Sequence, residues 1–104
     1  MRSIKYLHLS ECGLGDRGAA IIASKLEDFT ALDALDLSGN QIGQSSYYKD
    51  STAALIAYIN KQTQLQDLHL DHNMLRGQLG YQLVDAISQH ATLSTLTVSN
   101  NFLG

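Results

Sequence analysis

Residues 65–75, LQDLHLDHNML, contain the pattern that decides the fold. Leu68 and Leu70 alternate with polar residues, and this period of two is typical of a strand with one buried face. Asn73 follows, and Leu75 completes the stretch. The same eleven residues also hold two histidines and two aspartates, which taken alone suggest a metal site or an acid–base site. Their meaning depends on which face of the strand they occupy.

One template, L-x-x-L-x-L-x-x-N/C-x-L, fits four stretches of the chain. The four copies are IKYLHLSECGL at 4–14, LDALDLSGNQI at 32–42, LQDLHLDHNML at 65–75 and LSTLTVSNNFL at 93–103. They start at Ile4, Leu32, Leu65 and Leu93, so successive units are spaced by 28, 33 and 28 residues. Repeats of this length indicate a stacked architecture in which each unit buries its apolar face against the next.

Between the predicted strands the apolar spacing changes to that of a helix. Three segments carry apolar or small residues at i, i+3, i+4 and i+7, which places one face of a helix against a core. The stripes are Ala19, Ile22, Ala23 and Leu26; Thr52, Leu55, Ile56 and Ile59; and Gly80, Leu83, Val84 and Ile87. We predict strands near 6–9, 34–37, 67–70 and 95–98, and helices near 16–27, 50–61 and 79–90.

A strand, turn, helix, strand order implies parallel strands with all helices on one side. The prediction is therefore a single α/β domain over residues 1–104. It is a solenoid of about four repeats, with a parallel sheet on the concave face and helices on the convex face.

The template and the 28-residue unit resemble the leucine-rich repeat family, and the helix after each strand is similar to its ribonuclease-inhibitor-like subclass. The first unit departs from the template with Ile4 for leucine and with Cys12 for asparagine, which the family tolerates. The resemblance implies a non-enzymatic protein-binding module without a cofactor. Members similar to ribonuclease inhibitor block an enzyme by covering its active site. Small free-standing proteins of this subclass also resemble effectors that intracellular bacteria deliver into a host cell.

Composition excludes several classes of function. The chain has 104 residues, of which 44% are apolar and 16% charged, so it forms one soluble domain with a modest core. Its net charge is −3 and it lacks a lysine or arginine cluster, which argues against nucleic-acid binding. We find no membrane-spanning apolar run, and residues 1–15 lack the apolar region of a signal peptide. The single cysteine favours a reducing, cytoplasmic compartment, and we expect Cys12 to be buried in its turn.

Polar residues between the inward leucines face outward on the concave side. Because neighbouring strands lie about 4.8 Å apart, His8, Asp36 and His69 are expected to form successive rungs of one column. Together the outward residues form an acidic patch that also bears histidines. We predict a protein-binding site made of Tyr6, His8, Asp36, Asp67, His69, Asp71 and His72, flanked by Tyr47 and Tyr48. The expected partner is another protein, such as an enzyme with a basic surface patch.

The second unit is five residues longer than the other two complete units, and the excess lies within QSSYYKDS at 44–51. Insertions in a repeat map to loops, often on the binding face. Two adjacent tyrosines in such a loop suit an interface anchor, and they equally suit a cover for the start of the helix.

Two other functions are weighed against protein binding. His8, Asp36, His69 and Asp71 could serve as metal ligands or catalytic groups, but parallel rungs do not converge on one point as ligands must. We therefore predict no metal, catalytic or cofactor residues. The chain could instead be a scaffold segment of a larger multidomain protein. No helix follows the predicted fourth strand in this sequence, so the last repeat has no cap of its own. End-to-end self-association, in which a second copy covers that end, is therefore a further expectation.

Overall fold

Strands and helices alternate along the described part of the chain. The computed structural model describes residues 4–29, 31–46, 48–90, 92–99 and 101, and for residues 78 and 79 it describes the backbone alone. The strands are β1 (Tyr6–His8), β2 (Ala34–Asp36), β3 (Asp67–His69) and β4 (Thr95–Thr97). The helices are α1 (Gly15–Leu26), α2 (Tyr48–Lys61) and α3 (Gly77–Ser88). Tyr47, a predicted site residue, and Phe102 lie outside the described residues.

All strand pairs in the sheet are parallel, in the order β1-β2-β3-β4. Helix α2 packs between α1 and α3, so the helices form a second layer that follows the order of the strands. This confirms the predicted α/β solenoid with a parallel sheet. Within the described residues, none of these helices has the length and apolar character needed to span a membrane.

Each strand is one residue shorter than predicted, and in the first three units a turn begins two residues after the strand ends. The ladder continues as single hydrogen bonds: the Leu9 N–H donates to the Asp36 carbonyl and the Leu37 N–H to the His69 carbonyl, both at 2.9 Å. Helix α3 starts two residues before its predicted boundary, at Gly77, and α2 likewise starts two residues early.

The core lies between the sheet and the helices. Leu35, Leu37, Leu68 and Leu70 are almost fully buried, as the period of two predicted. The described side chains of the three helical stripes are buried or half-buried. A fully buried leucine stabilises the fold by about 1.5–3 kcal/mol. The inward residues of β1 and β4 are only half-buried, because each of these strands has one neighbouring strand in the described sheet.

Three asparagines connect consecutive repeats where the strands end. The Asn40 side-chain oxygen accepts the Cys12 N–H at 2.9 Å, and its amide nitrogen donates to the Leu9 carbonyl at 2.8 Å. Asn73 repeats this one unit later, with its side-chain oxygen accepting the N–H groups of Asn40 and Ile42. Asn101 accepts the Leu75 N–H at 3.0 Å. Each side chain thus satisfies buried backbone groups of its own unit and of the preceding unit.

Cys12 holds the position of these asparagines in the first unit, and the prediction that it is buried was wrong. It is exposed, and its Sγ lies 3.6 Å from the Ser10 carbonyl oxygen of its own turn. The physical reason is its place in the sheet. Strand β1 is an edge strand, so no unit of the described structure packs over this turn.

A tyrosine and a glutamine from the end of α2 contribute polar atoms to the core. Tyr58 is fully buried and Gln62 is 4% exposed. Among the described residues, the Tyr58 hydroxyl and the Gln62 side-chain oxygen are buried without a hydrogen-bond partner. The Gln62 amide nitrogen does donate, to the Tyr58 carbonyl at 3.1 Å. Burial raises the pKa of the Tyr58 hydroxyl well above its ordinary value, because the phenolate would be poorly solvated.

We expect Asn73→Ala to lower the free energy of unfolding by at least about 2 kcal/mol, because it leaves the buried N–H groups of Asn40 and Ile42 without their acceptor. Chemical denaturation monitored by circular dichroism measures the change. Asn60→Ala, on the exposed face of α2, is the matched control and should cost no more than about 0.5 kcal/mol. Equal losses in the two variants would show that the ladder does not hold the repeats together.

We expect Tyr58→Phe to leave the free energy of unfolding within about 1 kcal/mol of the parent or to raise it, because the hydroxyl is buried without a partner. The folded pKa of Tyr58 is raised, so its contribution to stability is fully present below pH of about 10 and is lost as the pH rises further. The variant should therefore lose less stability than the parent between about pH 9 and pH 11, a range that brackets the ordinary pKa of tyrosine. A loss above about 1.5 kcal/mol at neutral pH would mean that the hydroxyl is hydrogen-bonded.

Candidate functional site

The concave columns predicted from the template exist in the structure. Tyr6 pairs with Ala34, Ala34 with Asp67, and Asp67 with Thr95 in register. The next column, in the same register, runs His8, Asp36, His69 and Thr97. Five of the predicted site residues therefore stand side by side on one sheet face.

Exposure along these columns is uneven. Tyr6 has 62% of its surface exposed and the His8 side chain 67%, whereas Ala34 is buried. Asp67 and His69, on the inner strand β3, are half-buried. Small side chains such as that of Ala34, and side chains on inner strands, are partly covered by their larger neighbours. Tyr6 and His8 on β1 are therefore highly accessible positions of this face.

The histidines do not converge on a common point. His8 Nδ1 lies 3.9 Å from Asp36 Oδ2, and His69 Nδ1 lies 2.9 Å from the Thr97 hydroxyl. An ion pair at this distance and exposure contributes little, about 0–1 kcal/mol. Each histidine instead contacts the rung beside it, on the strand that follows its own.

Two of the predicted binding aspartates also have structural roles. The Asp36 carboxylate accepts the Ser38 N–H at 2.9 Å, and the Asp71 carboxylate accepts the Ser99 N–H at 2.6 Å. These bonds hold the carboxylates in place at the strand exits and leave their remaining oxygens for other donors. Among the described residues Asp67 makes no side-chain hydrogen bond, so its negative charge on this face is not used to hold the backbone.

His72 stands at the rim of the concave face in a left-handed backbone conformation. Its φ is 56°, and the equivalent residues of the first two units are Glu11 with φ 54° and Gly39 with φ 70°. Glycine adopts this conformation freely, whereas a residue with a Cβ pays a cost of about 1 kcal/mol. The turn therefore fixes the place of two exposed, ionisable side chains, Glu11 and His72, along the rim.

Tyr48, the described tyrosine of the insertion, is the first residue of α2. Its ring lies 4.5 Å from the Arg76 guanidinium carbon, a cation–π contact between the second and third units. Tyr48 is half-buried in this position. Residues 37–47 separate β2 from α2, the longest strand-to-helix connection in the described chain.

Asp16 is the residue that the sequence reasoning missed. It lies in the first turn of α1, is 2% exposed, and accepts four hydrogen bonds from the insertion and from α2. The donors are the Gly43 N–H at 2.6 Å, the Ser45 N–H at 2.8 Å, the Ser45 hydroxyl at 2.7 Å and the Ser51 hydroxyl at 2.6 Å. The signal for this contact in the sequence was weak: a hydroxyl-rich insertion in the unit that follows an aspartate.

Burial and hydrogen bonding act on Asp16 in opposite directions. Burial is the largest single effect and on its own raises the pKa of the carboxyl group. The hydrogen bonds from Ser51, Ser45 and Gly43 together outweigh it and hold the pKa below its ordinary value. Asp16 is therefore a charged anchor inside the protein at neutral pH.

Comparison with known families agrees with the architecture. Residues 1–23 and 30–45, which hold the first two copies of the template, match a family model described as Leucine Rich repeat. The fold is a leucine-rich repeat solenoid. The match supports a leucine-rich repeat protein, and its ribonuclease-inhibitor-like subclass stays a prediction from the 28-residue unit. A search of curated proteins found no match.

The convex side of the repeat solenoid also has a cleft, between α2 and α3. It encloses about 490 Å³ and is lined by Asn60, Gln82, Asp85, Ala86, Gln89 and His90. His90 Nε2 lies 2.6 Å from the Gln62 carbonyl oxygen, and the Gln89 amide lies 3.3 Å from the Asp85 carboxylate. His90 and Asp85 are thus hydrogen-bonded to neighbouring groups of the cleft wall, and their arrangement does not indicate a catalytic or binding role.

Within the described part of the repeat solenoid, no group of three or more His, Cys, Asp or Glu side chains is arranged to hold a metal ion. Dialysis against a chelator should therefore leave the melting temperature of the protein unchanged, and added zinc should not raise it. Differential scanning calorimetry before and after chelation makes the comparison. A fall in melting temperature that zinc restores would instead establish a metal site.

Proposed function

We propose that this repeat solenoid binds another protein through its concave face. Leucine-rich repeat domains generally mediate protein–protein interaction. The observation that carries the proposal is Tyr6, a largely exposed aromatic ring on a hydrogen-bonded strand, with His8 and Asp67 nearby on the same face. A tyrosine offers a large contact area with few rotatable bonds, and tyrosines are enriched among the residues that dominate binding energy.

The charges around Tyr6 indicate the kind of partner surface. Asp36, Asp67 and Asp71 lie on the concave face, and Glu11 lies at its rim. Their carboxylates favour a partner patch rich in arginine or lysine. Charges of this kind mainly accelerate association and select the partner, and added salt screens them over about 8–10 Å. The aromatic ring supplies most of the affinity.

Inhibition of an enzyme is the finer form of this proposal. A rigid sheet face that covers a basic patch beside a catalytic cleft also blocks access to the cleft. The support is the concave shape together with the resemblance to ribonuclease inhibitor. Once a partner is identified by affinity capture, its activity with and without this protein distinguishes inhibition from a purely scaffolding contact.

The fold also bears on the enzymatic alternative. Leucine-rich repeat proteins are typically non-enzymatic. His8 and His69 contact neighbouring rungs, and the Asp36 and Asp71 carboxylates accept backbone N–H groups, so these four side chains have structural partners on this face. A cytoplasmic setting, in the protein's own cell or in a host cell, belongs to the proposal and is supported by the single cysteine.

We expect Tyr6→Ala to weaken binding to the captured partner by about 2 kcal/mol or more, because it removes the exposed aromatic anchor. Asp67→Asn should weaken it by less, about 0.5–1 kcal/mol, and should flatten the dependence of the association rate on salt. Surface plasmon resonance at two salt concentrations measures both effects. Neither change should alter stability much, because both side chains are free of hydrogen bonds among the described residues.

Lys25→Ala, in the last turn of α1 on the convex side, is the matched control and should bind like the parent. If this control loses binding while Tyr6→Ala retains it, the interaction uses the convex face and the proposed surface is wrong. The residues Asp36 and Asp71 are avoided because their carboxylates also hold the backbone at the strand exits.

A further inference from the structure

The insertion of the second unit is held from the first unit by a buried charge. The Asp16 carboxylate gathers two N–H groups and two hydroxyls of the residues 43–51. A surface loop needs no such anchor in order to close, and placing a charged carboxylate at 2% exposure is costly unless hydrogen bonds compensate it. The hydrogen bonds therefore hold Gly43, Ser45 and Ser51 against the first unit.

The third unit holds the same insertion from the other side. Gly43 has a φ of 102°, and a Cβ there would overlap the backbone carbonyl of Met74. The Met74 N–H donates to the Ile42 carbonyl at 2.7 Å. Tyr48, within the same stretch 44–51, stacks on Arg76 of that third unit. The segment is thus clamped between the first and third units, and its backbone packs against both.

The outward side of the clamped segment carries hydrogen-bonding groups. Gln44 and Ser46 are exposed, whereas Gly43 is buried and Ser45 is half-buried against Asp16. The segment begins four residues after Gly39, which holds in the second unit the rim position that Glu11 and His72 hold in the first and third units. Its exposed side is therefore close along the chain to the concave face, and Gln44 and Ser46 are uncharged where the concave face is acidic.

We propose that residues 43–46, the inserted loop, form a second and preorganised part of the protein-binding surface, and that Asp16 is the residue that positions it. This inference rests on the proposed function of the concave face. The loop fits a neutral, hydrogen-bonding region of the partner, beside the basic patch that faces the aspartates. Fixing the loop before binding reduces the entropy lost on association, which is the physical gain from the anchor.

The first test needs no partner and uses amide hydrogen exchange in the full chain. In Asp16→Asn we expect the Gly43 and Ser45 N–H groups to exchange about tenfold faster or more, because each loses a bond to a charged acceptor. The Ile42 N–H is an internal control, because it donates to Asn73 and should keep its protection. Asp50→Asn, in the exposed first turn of α2, is the matched variant and should leave exchange at the Gly43 and Ser45 N–H groups unchanged.

Ser51→Ala is a second, milder variant that tests the same contact even if Asp16→Asn fails to fold. It removes one of the four bonds to Asp16 and should raise exchange at Gly43 and Ser45 by about two- to tenfold. If both variants keep parental protection at these two amides, Asp16 does not position the loop and the proposal is overturned.

The second test is photo-crosslinking in an extract of native cells. A benzophenone probe is attached at Ser46→Cys on the loop or at Thr95→Cys on the exposed end of the concave face, each in a Cys12→Ser background. We expect adducts of the same mass from both positions. Adding Asp16→Asn should reduce the adduct from position 46 by about fivefold while that from position 95 stays, because a disordered loop binds at greater entropic cost.

The outcomes separate the two proposals. An adduct from position 95 without one from position 46 overturns the role of the loop and leaves the concave face as the binding surface. An adduct from position 46 that is undiminished by Asp16→Asn overturns the positioning role of Asp16. The absence of adducts from both positions contradicts protein binding itself, and the inference about the loop falls with it.

Discussion

The structure depends on the side-chain amides that join one repeat to the next at the end of each strand. A solenoid of this size has no second layer of sheet to hold its strands in register, so the turn after each strand must bind its neighbour. Asn40 and Asn73 do this with both ends of the amide, because the oxygen accepts N–H groups and the nitrogen donates to carbonyls. With the turns fixed, the leucines reach the core and the residues between them form straight columns on the concave side.

Asp16 also joins two units by side-chain hydrogen bonds, at the insertion that interrupts the second repeat. The asparagines accept N–H groups from the preceding unit, whereas the Asp16 carboxylate accepts them from the following unit. An insertion of five residues would otherwise loosen the stack between the second and third units. Instead its first residues are hydrogen-bonded to Asp16 of the first unit and packed against Met74 of the third unit.

Much of this could be predicted from the sequence because its information is periodic. Four copies of one template fixed the strands, the parallel order and the columns, and the change of period located the three helices. The asparagines were predictable for the same reason, since each recurs at one position of the template. The sheet edge could not be read in this way: Cys12 fills an asparagine position but is exposed, because its neighbour on one side is missing from the described sheet.

Contacts that occur once in the chain have no period and were missed. Asp16 reaches 27–35 residues ahead to the insertion, and the Tyr58 hydroxyl is buried without a partner among the described residues. The roles of Asp36 and Asp71 in their turns were likewise hidden, because a template shows that a residue faces outward and not which N–H group it meets. The contact of Tyr48 with Arg76 was hidden for the same reason, and the role of Tyr48 as an interface anchor stays a prediction.

Hydroxyl-radical footprinting of the protein with and without its captured partner tests the central claim most directly. The method reports the solvent exposure of individual side chains, and three large apolar side chains are exposed in the described structure: Tyr6 on the concave face, and Ile21 and Tyr81 on the helices. The account predicts that the partner protects Tyr6, together with His8 and His69, while Ile21 and Tyr81 react as in the free protein. Protection of Ile21 or Tyr81 with Tyr6 unchanged would contradict it.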